Sequence, residues 1–161
     1  MSLMKSIVQA LCFVVFAVLA APLSAQQAPS YGTALDIATA KKIAAGAVAE
    51  AQKNGWKVAI AIVDNHGMLV YYERLDDTQT GSNAIALDKA KTAAMFRRPS
   101  RVFEEGVAKG RVALLGLQGA TPITGGLPVV VGGRTVGGIG VSGVTSDQDE
   151  QVAAAGLAGI K

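Results

Sequence analysis

The stretch that most limits the fold runs from Thr124 to Gly143. Eight of its twenty residues are glycine, yet two β-branched runs, Val129 to Val131 and Thr135 to Val141, sit among them. Gly132-Gly133 between the runs is a two-residue hairpin signal, because primed turns need positive φ at both central positions. Gly137, Gly138 and Gly140 inside the second run mark a bulge or a place where another backbone or a ligand lies against the strand. Pro128 has no N–H for a ladder, so it is expected before its strand or opening it. The stretch therefore reads as a glycine-rich antiparallel hairpin around which the other segments pack. Gly138-Ile139-Gly140-Val141-Ser142-Gly143 also spells a dinucleotide fingerprint. That fingerprint needs a helix opening at the glycines and a second parallel strand. The eighteen residues after Gly143 read as one terminal helix, which leaves no room for the unit.

The rest of the chain follows in order. Lys5, the apolar run Ile7 to Ala20 and the small pair Ser24-Ala25 have the form of a secretory leader over residues 1–25. Met1-Ser2-Leu3 ahead of Met4-Lys5 resembles a cloning scar. The apolar run is short for a membrane span, so no stable membrane insertion is expected once the leader is removed, a retained anchor being the rival reading. Cys12, the only cysteine, leaves with the leader, so an exported chain would be held by packing or oligomerisation without disulfides. The net charge of +3 is too small to imply nucleic acid, and no basic stripe with interleaved aromatics appears.

Residues 26–34 read as a mobile arm, and residues 35–161 as one domain. Asp36 is a good N-cap with Leu35 and Ala40 placed to form a staple. Ile37, Ala40, Ile43, Ala44, Ala47, Val48 and Ala51 then recur at helical spacing, and Asn54-Gly55 ends the helix in a left-handed cap. Two β-prone runs, Trp56 to Val63 and Met68 to Arg74, flank Asp64-Asn65-His66-Gly67 and form a first hairpin. Ser82 is expected to cap an alanine-rich helix to Phe96, stopped by Pro99. Ser100 is expected to cap a short helix to Gly110, Arg111 to Gln118 is short helix or strand, and Ser146 with Asp149 resembles a capping box for the last helix. Hairpins alternating with helices argue an α+β architecture on an antiparallel sheet.

Val63-Asp64-Asn65-His66-Gly67-Met68-Leu69-Val70, Asp88-Lys89-Ala90-Lys91-Thr92-Ala93 with Phe96-Arg97-Arg98-Pro99-Ser100, the two glycine motifs above, and Asp147-Gln148-Asp149-Glu150 with Ala155-Gly156-Leu157 resemble the GlcG/HbpS haem-binding family. The same domain forms the C-terminal part of PduO-type corrinoid adenosyltransferases. The resemblance runs from about Leu35 to the C-terminus. It implies a profilin-like fold, a five-stranded antiparallel sheet flanked by helices, assembled as a homo-oligomer from dimer to octamer. It also implies haem as the ligand and, in some members, slow haem degradation; others stand beside glycolate or diol metabolism.

The residues themselves restrict the chemistry. With one histidine and no cysteine after the leader, thiol catalysis and a multi-histidine metal cage are excluded within one chain. No nucleophile elbow exists for a hydrolase, so no catalytic residue is assigned. His66 is a candidate axial ligand to haem iron, its plainer role being a turn residue. The resemblance makes Thr121, just before the Gly125-Gly126-Leu127-Pro128 motif, the second candidate, because relatives offer a threonine oxygen in this neighbourhood; strand entry is its plainer role. Tyr71, Tyr72, Met68 and Met95 can also ligate iron, though their spacing assigns them to the core first. Lys89, Phe96, Arg97 and Arg98 form a possible anchor for haem propionates or a small organic acid, because guanidinium groups grip carboxylates bidentately. The plainer alternative makes the arginines caps of the helix or interface residues. Asp64 and Asp147 to Glu150 serve turn and cap geometry. Three functions remain: the one the resemblance implies, an exported, periplasmic or secreted, oligomeric haem-binding protein; or an enzyme or accessory protein for a small organic acid. A structural assembly protein with no small ligand is the third.

Overall fold

The structure is a computed structural model that describes residues 27–160; the leader reading falls outside the described residues. Among the described residues four helices, α1 (Ile37–Lys53), α2 (Ser82–Phe96), α3 (Arg101–Ala108) and α4 (Ser146–Leu157), accompany strands β1 (Ala59–Asp64), β2 (Leu69–Arg74), β3 (Gly126–Val131) and β4 (Arg134–Ser142). The strands form one antiparallel sheet in the order β2-β1-β4-β3. The described sheet thus has four strands where five were expected. Beside the end of β4 lies the segment read as a mobile arm, tied down by Thr135 N–H to Ser30 O at 2.8 Å, Gly32 N–H to Thr135 O at 2.9 Å and Leu35 N–H to Val136 O at 2.9 Å. These bonds make a single parallel bridge, Tyr31 to Thr135, too short to count as a strand.

Side-chain size alternates along β1 and decides which helix lies on which face. Ile60 and Ile62 point to one side, where they meet Ile43, Ala44 and Ala47 of α1 and Val152 of α4. Ala59, Ala61 and Val63 point to the other, against Ala86, Ala90 and Ala94 of α2. β4 repeats the rule with Ile139 and Val141 toward α1 and α4 and glycines toward α2. A Cβ at Gly138 would strike the Ala90 carbonyl oxygen, and one at Gly140 the Ala86 carbonyl oxygen. Absent side chains here let the α2 backbone rest on the sheet.

Both turns form as their residues require. Gly132 and Gly133 take φ of 54° and 73° between β3 and β4. Asp64 closes the first hairpin by accepting from His66 N–H at 2.8 Å and Met68 N–H at 2.9 Å. Helix α1 starts on Asp36, which accepts from Thr39 N–H at 2.7 Å. It ends with Gly55 at φ 69° and with Gly55 N–H and Trp56 N–H bonded to Gln52 O and Ala51 O, the double bond pattern of a Schellman cap.

Four local expectations need correction. Ser82 is the first residue of α2 and no side chain caps that helix; its hydroxyl instead accepts from Gln79 and Ser142. Ser100 does not cap α3, because its hydroxyl accepts from Gly126 N–H at 2.9 Å and holds β3. The capping box of α4 is Thr145 with Gln148, one residue earlier than read. Pro128 lies within β3, tolerated because β3 is an edge strand. Val112–Gly116 is a short 3-10 helix.

Candidate functional site

Lys89, expected to anchor a ligand, points inward instead. It is 1% exposed, and its Nζ donates to Asp149 Oδ2 at 2.8 Å and to Val141 O at 2.9 Å. Asp149 is 2% exposed and its Oδ1 accepts from Val144 N–H at 3.2 Å. Gly125 makes room for the pair, since a Cβ there would lie 2.8 Å from Lys89 Nζ and 2.9 Å from Asp149 Cβ. Burial pushes the Asp149 carboxyl above its ordinary range, and the Lys89 ammonium pulls it back. The pair is a fastener joining α2 to α4.

The outward face of α2 is different. Asp88, Lys91 and Met95 stand along it, with Met95 45% exposed. Gly119, Ala120 and Thr121 run beside them and close a cleft of about 290 Å³. Thr92 fixes this neighbour: its hydroxyl donates to Asp88 O at 2.7 Å and accepts from Thr121 N–H at 2.8 Å. The β1–β2 turn borders the same helix, for a Cβ at Gly67 would sit 3.0 Å from Met95 Sδ and 3.6 Å from Lys91 Cγ. The two candidate axial ligands, exposed His66 on that turn and half-buried Thr121, therefore flank one helix surface.

The C-terminal end of α2 carries the arginines. Arg97 takes the left-handed conformation, φ 54° and ψ 39°, at a position that usually takes glycine. Its Nη1 donates to Pro29 O at 3.1 Å, and its guanidinium carbon stacks 4.9 Å from the centre of the Tyr31 ring. The Tyr31 hydroxyl in turn donates to Met95 O at 2.6 Å, a carbonyl left open at the helix end. Arg97 thus holds the chain's own arm. Phe96 packs edge-on against Phe103 of α3 with ring centres 5.2 Å apart. Arg98, exposed, donates Nε to Phe96 O at 3.1 Å and faces a cleft of about 390 Å³ between the arm and α3. The expected corner of Lys89, Phe96, Arg97 and Arg98 is therefore divided: Lys89 is buried, Phe96 packs on Phe103, and Arg97 and Arg98 line one cleft, Arg97 while holding the arm.

The remaining candidates have structural partners. Tyr71 donates to Glu73 at 3.0 Å and Tyr72 to Asn83 at 2.7 Å, while Met68 is exposed beside the turn. Asp147 and Glu150 grip Arg101 at 2.6 Å and 3.0 Å. Among the described residues no group of three His, Cys, Asp or Glu side chains could hold a metal ion, and no described helix is long and apolar enough to cross a membrane. Sequence reasoning missed Lys91 as a cleft residue and Tyr31 as a helix cap. The helical spacing of Asp88, Lys91 and Met95 carried the first signal; nothing local to Tyr31 carried the second.

Fold and clefts together define a class: a small antiparallel α+β domain whose central helix lies on a glycine strand and leaves its outer face beside an open cleft. A family model described as haem degrading protein HbpS-like matches residues 35–158, and the chain belongs to that family. Protein GlcG of Escherichia coli (strain K12) is 44% identical over 103 residues, 64% of this chain and 77% of GlcG. A crystal structure of a double mutant of HbpS from Streptomyces reticuli superposes with a TM-score of 0.73 at 35% identity, covering 86% of this chain and 96% of the other. A crystal structure of PduOC in complex with haem gives a TM-score of 0.74 at 28% identity over 80% of this chain and 96% of that one.

Proposed function

We propose that this protein binds haem on the outward face of α2, in the cleft beside Thr121. The observation that carries the reading is the meeting of Thr121, Lys91, Met95 and the His66 turn on one helix surface. These residues suit the group. Neutral imidazole and a hydroxyl oxygen are both donors to iron, the Lys91 ammonium complements a propionate, and Met95 offers an apolar, polarisable contact to the porphyrin. Haem supplies a redox-active iron centre when bound. The chain's own part is to orient Thr121 through Thr92 and to place a cation beside the ring edge. Likeness to an HbpS-family domain and to a haem complex of PduOC supports the same ligand.

The cleft of about 290 Å³ falls just below the range for small-molecule sites, roughly 300–1,000 Å³. One chain covers a porphyrin only in part, so the protein works as a homo-oligomer in which a second copy completes the cover. Val112, Leu115, Leu117 and Ile123, all more than a third exposed on the segment leading past Thr121, are the apolar surface that supports this assembly. The leader pattern supports export to the periplasm or beyond, which cell fractionation tests.

Haemin titrated into the purified protein is expected to move and sharpen the Soret band up to a stoichiometric endpoint. Thr121→Ala or His66→Ala, whichever residue ligates, shifts that spectrum and weakens binding. A spectrum that stays that of free haemin removes the proposal, and one unchanged by either substitution removes both axial assignments. The same samples followed under a reductant reveal degradation as bleaching of the band.

A further inference from the structure

The cleft at the C-terminal end of α2 is separate from the one beside Thr121 and is built differently. Pro29, Pro99, Pro128 and Val102 form its apolar lining, with Gln27, Arg97 and Arg98 as polar members, and its volume of about 390 Å³ falls within the range of small-molecule sites, roughly 300–1,000 Å³. The prolines carry no backbone N–H and Val102 is aliphatic, so these walls receive an apolar body and leave an anion to the polar members. Arg97 is committed to Pro29 O and the Tyr31 ring, which leaves Arg98 as the cation with an open fork. Its Nε is used by Phe96 O, it lies 5.9 Å from the centre of the Phe103 ring, and no carboxylate pairs with it among the described residues. A guanidinium is a planar fork that matches a carboxylate in two parallel bonds, and two of its nitrogens are uncommitted here.

Arg97 explains why the cleft stands ready. Its left-handed backbone conformation, unusual for a residue with a side chain, is held while its guanidinium grips Pro29 O and the Tyr31 ring. Strained backbone kept in place by surrounding contacts is a mark of functional geometry. Through this latch the arm becomes the second wall of the cleft, and the rigid prolines lower the ordering needed on binding.

We propose that the cleft between the arm and α3 is a binding site for a small carboxylic acid with an apolar body, its carboxylate gripped by Arg98. The site is independent of haem. Amide NMR shifts of the purified protein, titrated with benzoate and with hexanoate, test it. Both acids are expected to give saturable shifts at Val102 and at arm residues, while benzamide and hexanol, which lack the charge, give none. Arg98→Gln weakens the acids at least tenfold with an unchanged melting midpoint, and Arg98→Lys retains part of the affinity because charge survives without the fork. Three results overturn the proposal: no saturable shift at millimolar acid, equal binding of the neutral analogues, or full affinity in Arg98→Gln. Displacement of benzoate by stoichiometric haemin also overturns it, since the two clefts would then be one haem site.

Discussion

Replacing Lys89 by methionine removes the ammonium from the buried pair while nearly keeping its length. Asp149, 2% exposed, then keeps only backbone donors, those of Val144 and Gly143. Breaking a buried ion pair from one side is destabilising by about 3–5 kcal/mol, against a typical domain stability of about 5–15 kcal/mol. The structure allows a sharper statement, because a stranded carboxylate can escape by taking a proton. For an ordinary carboxyl near pKa 3.9, that uptake costs about 4 kcal/mol at pH 7 and about 1.5 kcal/mol at pH 5. The folded-state pKa of Asp149, already raised by burial, rises further in the variant. Stability linked to a raised pKa is fully present below the unfolded value and is lost as pH rises through the folded one. The variant's deficit therefore shrinks on acidification, by up to about 2.7 kcal/mol between pH 7 and pH 5. A remainder of about 1–3 kcal/mol, from the donor that Val141 O loses, does not depend on pH. Urea unfolding of both proteins at the two pH values measures this difference directly. A deficit that stays constant or grows on acidification refutes the assignment of Asp149 as the stranded group. Loss of haem binding without loss of stability would restore Lys89 as a ligand anchor.

Gly140→Ala places a methyl group well inside contact with the Ala86 carbonyl oxygen and the Ala90 nitrogen, backbone atoms that cannot rotate away. The expected destabilisation, read as a fall in the urea midpoint, is about 3 kcal/mol or more, at or above the usual range for overpacking. Arg97→Gly relaxes the left-handed residue and adds up to about 1 kcal/mol of global stability. It also frees the arm, so hydrogen exchange at Gly32 and Leu35 accelerates. Unchanged protection of those amides would show that the arm does not depend on Arg97.

Turns and the two ends of α1 were legible in the sequence because their causes are local. Gly132-Gly133, the Asp64 to Gly67 turn and Asn54-Gly55 each carry the residues their geometry demands, and each forms. The Lys89 pair was not legible, since the direction a lysine takes on an alanine-rich helix is decided by distant Gly125 and Asp149. The same pair explains the shifted cap of α4. Thr145 and Ser146 both begin a plausible capping pattern, and Asp149 cannot serve the second while it is spent on Lys89. The five strands implied by the resemblance are four among the described residues, and the arm adds no fifth, because it meets β4 only beyond the point where β1 leaves it. Among the candidate site residues, the sequence grouped Lys89 with Phe96, Arg97 and Arg98, which the fold separates by turning Lys89 inward. Position along α2 does not reveal which side faces the sheet until the glycines of β4 are seen to receive it.

The seam between α2 and β4 has a consequence for how such a protein can diversify. Where main chain rests on main chain there is almost nothing to trim, enlarge or repack, so the two parts move as one keel. The helix's opposite side is under no such obligation. Residues there can be exchanged while the hull beneath stays the same, which makes that side the natural place to graft a new surface onto this fold.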